Sequence, residues 1–382
     1  MTDSEGNVCA DSPPWTSEGP TSCPGSSSSG SSGPTYHRFS DPAAIETTGG
    51  VRIAMRSSDP SIDQIEIVVL DLATSAVSYP EPLDGPSGVP QLAGDDTGAY
   101  LVWTDREFHS FGATLTADNA LGEAFEFGKI AVKPLAVGDR FLVIEYGLGH
   151  QQARWIEANG TVGAAFDFPG AVADSTPRGT SGSGGGIAAT MFRRDNAIYV
   201  ARTNGLEVEL AQDSGMGGLA VLPDGTILAT YSKALTPTAY AVFHNVRIEP
   251  DGTTTDEIIQ RHLWSDLVVA GDRLFAIVDD PYQDTYFAYE LDSSGTAIGD
   301  KVEIFEPDTY SEVSVVPYHR DLVAFSSTGT IEATSFDGAA GAPPVVIAEY
   351  YEIDDGGCST GGGAGFAIVL AFAGIRRRRT RR

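Results

Sequence analysis

The C-terminal residues place one reactive side chain, a cysteine thiol, in distinctive surroundings. Cys358 lies among glycines and serine in segment 356–363, an apolar run covers 364–375, and arginines follow. Twelve helical residues rise only about 18 Å against ~30 Å for a bilayer core, so the run suits a transient membrane segment. Arginines favour the cytoplasmic side, which leaves Cys358 outside. The glycines disfavour a firm helix, so this order favours cleavage near Cys358 by an intramembrane protease.

Two groups of side chains define the tail. The large apolar residues of the segment are Phe366, Ile368, Val369, Leu370, Phe372 and Ile375. The basic residues that set its orientation are Arg376, Arg377, Arg378, Arg379, Arg381 and Arg382. We interpret 353–363 as a linker, 364–375 as a transmembrane helix and 376–382 as a cytoplasmic end.

This order of cysteine, small residues, apolar helix and arginine cluster resembles the MYXO-CTERM sorting signal of myxobacteria and their relatives. The resemblance covers about 27 of 382 residues. It implies that a membrane-embedded sorting protease cuts the tail, and that Cys358 is retained and lipidated, so that the mature protein stays at the cell surface. A simple tail anchor is the alternative. A glycosylphosphatidylinositol signal fits poorly, because such signals usually end in their apolar stretch.

The body of the chain offers weaker candidates for chemistry. Two acidic segments, 251–257 and 279–284, carry oxygen ligands that suit Ca²⁺, but neither has EF-hand spacing. The ligands of the second are Asp279, Asp280 and Asp284, and we interpret both segments as solvated turns. The six histidines show no metal-binding spacing. The sequence therefore predicts no cofactor, with Ca²⁺ as the alternative.

No catalytic residue is identified from the sequence. The glycine-rich segment 179–186 lacks the Gly-Lys-Ser/Thr ending and the following helix of a phosphate-binding loop, so we interpret it as an insertion between repeats. Carboxylates are too numerous for any pair to stand out as acid and base. Aromatic residues such as Trp103 and Trp155 lie in apolar runs and are predicted to be core rather than sugar-stacking platforms.

The charge of the chain excludes some partners. The net charge is −28, and six of the 24 basic residues follow Cys358, so loss of the tail leaves 18 basic against 52 acidic residues. The resulting charge of −34 repels nucleic acid and anionic lipid headgroups. Membrane contact is therefore expected only through the tail or a lipid at Cys358.

The N-terminal residues predict a flexible arm over 1–35, rich in serine, glycine and proline. Cys9 and Cys23 lie in this arm, and they either close a small disulfide loop or remain free thiols. An exported protein should begin with basic and then apolar residues, and the residues after Met1 do not. We expect that Met1 is a mis-assigned or truncated start with the signal peptide upstream.

From 36 to 352 the chain alternates short apolar runs with turn residues, which predicts strands throughout. Apolar strands meet tight turns near residues 95, 138, 195, 224, 271 and 320, on average 45 residues apart. That is about the length of a four-stranded propeller blade. The prediction is an all-β propeller of six to eight blades, with seven as the best estimate. Two β-sandwich domains are the alternative.

The function predicted from these features is a cell-surface-anchored module that binds an extracellular protein or glycan. The alternative is a secreted hydrolase or lyase on the same scaffold. A binding protein is favoured over an enzyme, because no motif for catalysis is present in the sequence.

The tail generates the first testable prediction. The intact mass of the protein recovered from the envelope of its native host should lack the residues after Cys358 and carry an added lipid. A full-length mass would contradict processing and favour the retained tail anchor.

Overall fold

The computed structural model describes most of the body of the chain. The described residues are 39–57, 64–72, 74, 76–78, 80, 83, 88–95, 97–105, 107–128, 131–147, 150–168, 181–234, 241–259, 266–280, 285–305, 313–327, 331–336 and 345–348. All of them belong to a unit that spans 36–351, while a second unit, 1–35 with 352–382, lies outside the described residues. The predictions for Cys9, Cys23, Cys358, segment 364–375 and the arginines that follow it concern that second unit. Among the residues that can be described, no helix is long and apolar enough to span a membrane.

The described elements are all strands, as the alternation of apolar runs with turn residues predicts. The strands at the inner end of each sheet are β1 Phe39–Thr47, β5 Val89–Gly94, β9 Ala131–Val137, β13 Ser181–Gly184, β17 Ser214–Val221, β21 Asp266–Ala270 and β25 Val313–Tyr318. The second strands are β2 Gly50–Ser57, β6 Ala99–Thr104, β10 Arg140–Gly147, β14 Ile187–Arg194, β18 Ile227–Ala234, β22 Arg273–Asp280 and β26 Asp321–Ser327. The third strands are β3 Ile65–Asp71, β7 Ser110–Leu115, β11 His150–Glu157, β15 Ala197–Arg202, β19 Ala241–Ile248, β23 Thr285–Leu291 and β27 Ile331–Phe336. The outer strands are β4 Ala76–Ser78, β8 Phe125–Gly128, β12 Phe166–Asp167, β16 Glu207–Gln212, β20 Thr254–Ile259, β24 Val302–Phe305 and β28 Val345–Ala348.

These strands form seven four-stranded antiparallel sheets, each made of four consecutive strands. The seven inner strands contact one another in sequence, and β25 also contacts β1, so the sheets form a closed ring. The predicted all-β propeller is confirmed, and the ring excludes two β-sandwich domains. We number the sheets as blades one to seven in chain order.

One part of the sequence interpretation is wrong. Segment 179–186 is not an insertion between repeats, because its residues Ser181–Gly184 are the inner strand β13, and Gly185 and Gly186 form the following turn. The turn near residue 195 joins the second and third strands of blade four, whereas the other five predicted turns join the inner strand of a blade to its second strand. The glycines are required because β13 lies very close to β17: a Cβ on Gly184 would stand 2.3 Å from the carbonyl oxygen of Val221.

Polar side chains also connect several blades to the next. Arg52 of blade one donates to the carbonyl oxygens of Thr116 and Ala117, in the turn between β7 and β8, at 3.1 and 2.8 Å. Arg202 of blade four reaches the carbonyl oxygens of three residues at the end of β19 and in the following turn, and Asn245 of blade five donates to the carbonyl oxygen of Gly295 at 2.7 Å. Each such contact adds a side-chain donor from the neighbouring blade to a backbone carbonyl oxygen.

Blades seven and one close the ring without sharing a strand. Their interface is a cluster of buried side chains, formed by Val51, Ile53, Met55, Val68 and Leu70 of blade one with Val316, Val323 and Phe325 of blade seven. At its edge, the Oε1 atom of Glu46 accepts a hydrogen bond from the backbone N–H of His319 at 2.8 Å, and it lies 2.8 Å from the Nδ1 atom of the same residue. Apolar burial therefore closes the ring, since an exposed ion pair contributes little.

Substitution at this interface should destabilise the whole propeller. Phe325 is 0% exposed, so Phe325→Ala should lower the free energy of unfolding by about 3–5 kcal/mol. Phe108 is 69% exposed, and Phe108→Ala should change it by less than about 0.5 kcal/mol. Urea unfolding followed by circular dichroism measures both. Equal stability of the two variants would contradict a buried closing interface.

Candidate functional site: the central channel

The ring of inner strands surrounds a channel of about 570 Å³, lined by residues from all seven blades. Each inner strand stands at the end of its sheet and pairs along one edge only. Its other edge therefore turns unpaired backbone N–H and C=O groups towards the channel. Much of the wall consists of small or apolar side chains, among them Ala44, Ala93, Ala136, Ala220 and Val268. The channel thus combines open space with many backbone hydrogen-bonding groups.

A lysine and an aspartate stand at the start of two inner strands, at the same end of the channel. Lys133 lies on β9 of blade three and Asp266 opens β21 of blade six, nearly opposite each other in a ring of seven. Lys133 lines the channel, Asp266 directly precedes the lining residue Leu267, and water reaches both side chains. The described residues give neither charge a hydrogen bond or an ion pair within 4 Å. Space therefore remains between two opposite charges.

The enclosure perturbs both groups in the direction that disfavours charge. Removal from bulk water lowers the pKa of the Lys133 ammonium, and the Asp266 carboxylate partly offsets that shift. The same loss of water raises the pKa of Asp266, and the Lys133 charge opposes it. The two groups thus stabilise each other's charged form across the channel, but not enough to replace the water that they lose.

The opposite mouth of the channel carries carboxylates. It is formed by the turns that follow the inner strands, which contain Asp95, Asp139, Asp224 and Asp272. Enclosure raises the pKa of Asp95, but hydrogen bonds from Thr97 and Gly98 outweigh it and hold that pKa below its usual value. A groove of about 500 Å³ runs from this mouth between blades two and three, past Asp95 and Asp139.

A second group of polar side chains lies on blade five, away from the channel. The Tyr231 hydroxyl donates to Oδ2 of Asp256 at 2.9 Å, and Nδ1 of His244 lies 2.8 Å from Oδ1 of the same carboxylate. The rings of Tyr231 and His244 stack at 4.5 Å between centroids. Burial, and then the bond to Asp256, raise the pKa of Tyr231. Asp256 thus holds an imidazole in a fixed orientation, an arrangement that suits a general base.

The residues predicted from the sequence lie elsewhere. Asp279 and Asp280 end β22, where the structure describes only their backbone, and Asp284 lies outside the described residues. In the part of the chain that is described, no three His, Cys, Asp or Glu side chains have the geometry to hold a metal ion. Trp103 and Trp155 pack between blades, in agreement with their interpretation as core.

Sequence reasoning missed Lys133 and Asp266. A cation in an apolar inner strand is a usable signal, since the rest of β9 consists of alanine, valine, leucine and proline. The pairing of Lys133 with Asp266 carries no such signal, because 133 residues separate the two in the chain.

No protein-family model matches this chain, and no curated protein matches it. Solved structures do. The β-propeller domain of the Trilobed protease from Pyrococcus furiosus, described as having an open velcro topology, matches at 12% identity over 84% of this chain and 98% of that one, with a TM-score of 0.54.

Two larger proteins match in the same way. One of two prolyl endopeptidases matches at 10% identity and a TM-score of 0.52, over 80% of this chain and 49% of that one. Prolyl oligopeptidase B from Galerina marginata matches at 10% identity and 0.51, over 83% and 51%. The chain spans about half the length of these two proteins. At such identities the likeness shows a β-propeller fold.

The channel pair generates a prediction about titration. Asp266→Asn removes the charge that raises the pKa of Lys133, so this pKa should fall further, and Lys133→Met should raise the pKa of Asp266 further. NMR titration of the lysine Nζ and aspartate Cγ signals measures both. Asp300→Asn, at an exposed position, is the control and should leave the Lys133 signal unchanged. Unshifted pKa values in both channel variants would show that the two groups do not interact.

Proposed function

We propose that this chain is a binding module, displayed at the cell surface, that takes part of an extracellular protein or glycan into its central channel. The observation that carries this proposal is a wide channel, lined by all seven blades, with Lys133 on its wall and Asp266 beside its lining, neither with a close partner among the described residues. Polar groups in a largely apolar concave site are typical of ligand pockets, since they fix the orientation of a ligand. The free strand edges add further donors and acceptors.

Display at the surface rests on the tail and on the charge. Export, cleavage by a sorting protease and lipidation at Cys358 would leave an acidic propeller outside the cell, tethered by the linker that follows it. Residues 1–35 would form an arm and 36–352 the binding domain. A net charge of −34 after loss of the tail keeps such a domain soluble and away from anionic surfaces.

A hydrolase is the second candidate function, and one observation favours it. His244 is oriented by Asp256, as the base of a nucleophilic or water-activating site is in many hydrolases. Its other ring nitrogen has no hydrogen bond among the described residues. Cleavage of a bound protein or glycan that is lost in His244→Ala would establish this candidate. Binding without cleavage leaves the module as proposed.

A narrowed channel should abolish binding. Ser183 lines the channel on β13, so Ser183→Trp places a large ring in it. On arrays of defined peptides and glycans, the full chain should bind at least one probe, and Ser183→Trp should weaken that binding at least about tenfold, which corresponds to 1.4 kcal/mol.

The matched control is Thr255→Trp, which adds the same ring at an exposed position on the outer strand β20. It should bind as the unmodified chain does. Circular dichroism and the thermal midpoint of each variant must match those of the parent before binding is compared. Equal binding by both variants would place the ligand site outside the channel.

A further inference from the structure

The charges of Lys133 and Asp266 form an incomplete pair. Direct contact would stabilise both charged forms, and the described residues show none. Blades three and six hold them on nearly opposite sides of the ring, and the two side chains make no direct contact in the structure. A molecule with one negative and one positive end would fill this gap and give each charge a partner.

The chemistry of the two side chains limits which groups the ends of that molecule can carry. The lysine ammonium offers three donors and suits a carboxylate, while the aspartate carboxylate accepts hydrogen bonds from an ammonium. A neutral glycan offers hydroxyl hydrogen bonds but no opposite charge to either group. The α-carboxylate and α-ammonium of an unblocked amino acid or short peptide satisfy both, because they carry opposite charges at the two ends of one molecule.

The wall supplies partners for what lies between the ends. A peptide backbone alternates donors and acceptors, and the free edges of β9, β21 and the other inner strands present the complementary groups. Small side chains such as Ala44, Ala136 and Ala220 leave room for a chain to approach those edges. Large aromatic rings pack between the blades instead, as Trp103 and Tyr100 do.

We propose that the channel binds a zwitterionic ligand, a free amino acid or a short unblocked peptide, with its carboxylate on Lys133 and its ammonium on Asp266. This inference rests on the proposed binding function and names the ligand class of the same site. The carboxylate of the ligand would stabilise the charged form of Lys133, so ligand binding should raise the pKa of Lys133 towards its ordinary value.

Isothermal titration calorimetry of the full chain with alanine, dialanine and trialanine tests the proposal. At least one should bind, and the length that binds best reports the span between the two charges. The same peptide with an amidated C-terminus should bind at least about tenfold more weakly, and so should its N-acetyl form.

Variants connect each end of the ligand to one residue. Lys133→Met should weaken binding of the free peptide to the same extent as amidation does. Amidation of the peptide should then cause no further loss of affinity for the Lys133→Met variant. Asp266→Asn should likewise weaken binding as much as N-acetylation does, and N-acetylation should then weaken binding to this variant no further. In crossed combinations, such as Lys133→Met with the N-acetyl peptide, the two losses of affinity should add. The matched controls are Lys301→Met and Asp300→Asn, at exposed positions outside the channel, which should bind as the parent does.

Two results would overturn the inference: no binding of any unblocked ligand at about 10 mM, or losses from amidation and Lys133→Met that simply add. These failures are distinguishable from failure of the proposed function. If array binding is still lost in Ser183→Trp, the channel is a binding site for another ligand class. If Ser183→Trp also has no effect, both proposals fail.

Discussion

The structure depends on apolar contact between blades, and most visibly on the contact between blades seven and one. No strand crosses that interface, so the ring closes only because residues such as Ile53, Leu70 and Phe325 bury one another. At roughly 25 cal/mol per Å² of buried apolar surface, a cluster of this kind supplies several kcal/mol. A gap there would admit water to two blade faces at once. The position of every inner strand, and hence the width of the channel, follows from this closure.

Closure of the ring also sets the electrostatics of its centre. The walls around Lys133 and Asp266 disfavour both charged forms, and the two side chains make no direct contact across the channel. The packing that closes the ring therefore also places two charged groups where their charged forms are disfavoured. A ligand that brings an opposite charge to each group would favour both charged forms, and perturbed groups of this kind are common at functional sites.

The fold could be predicted from the sequence because its signals are local. Apolar runs separated by Asp-Gly and Asn-Gly dipeptides predict hairpins, and Gly160, Gly205 and Gly252 do adopt positive φ in turns between third and outer strands. β13 was missed because its sequence, Ser-Gly-Ser-Gly, has no strand propensity. The close approach of β13 to β17 requires those small residues, and no local sequence pattern encodes that approach. The candidate site could not be predicted for a similar reason, since only the closed ring brings Lys133 and Asp266 to the same end of one channel.

Three side-chain contacts between blades run in the same sense. Arg52, Arg202 and Asn245 each reach from one blade into a turn of the next, and because each sheet consists of four consecutive strands, no sheet spans two blades. The backbone links between blades are thus separate from the forces that hold the blades together. Cutting one link by limited proteolysis would leave all seven sheets whole, and the two fragments would stay associated as a single particle.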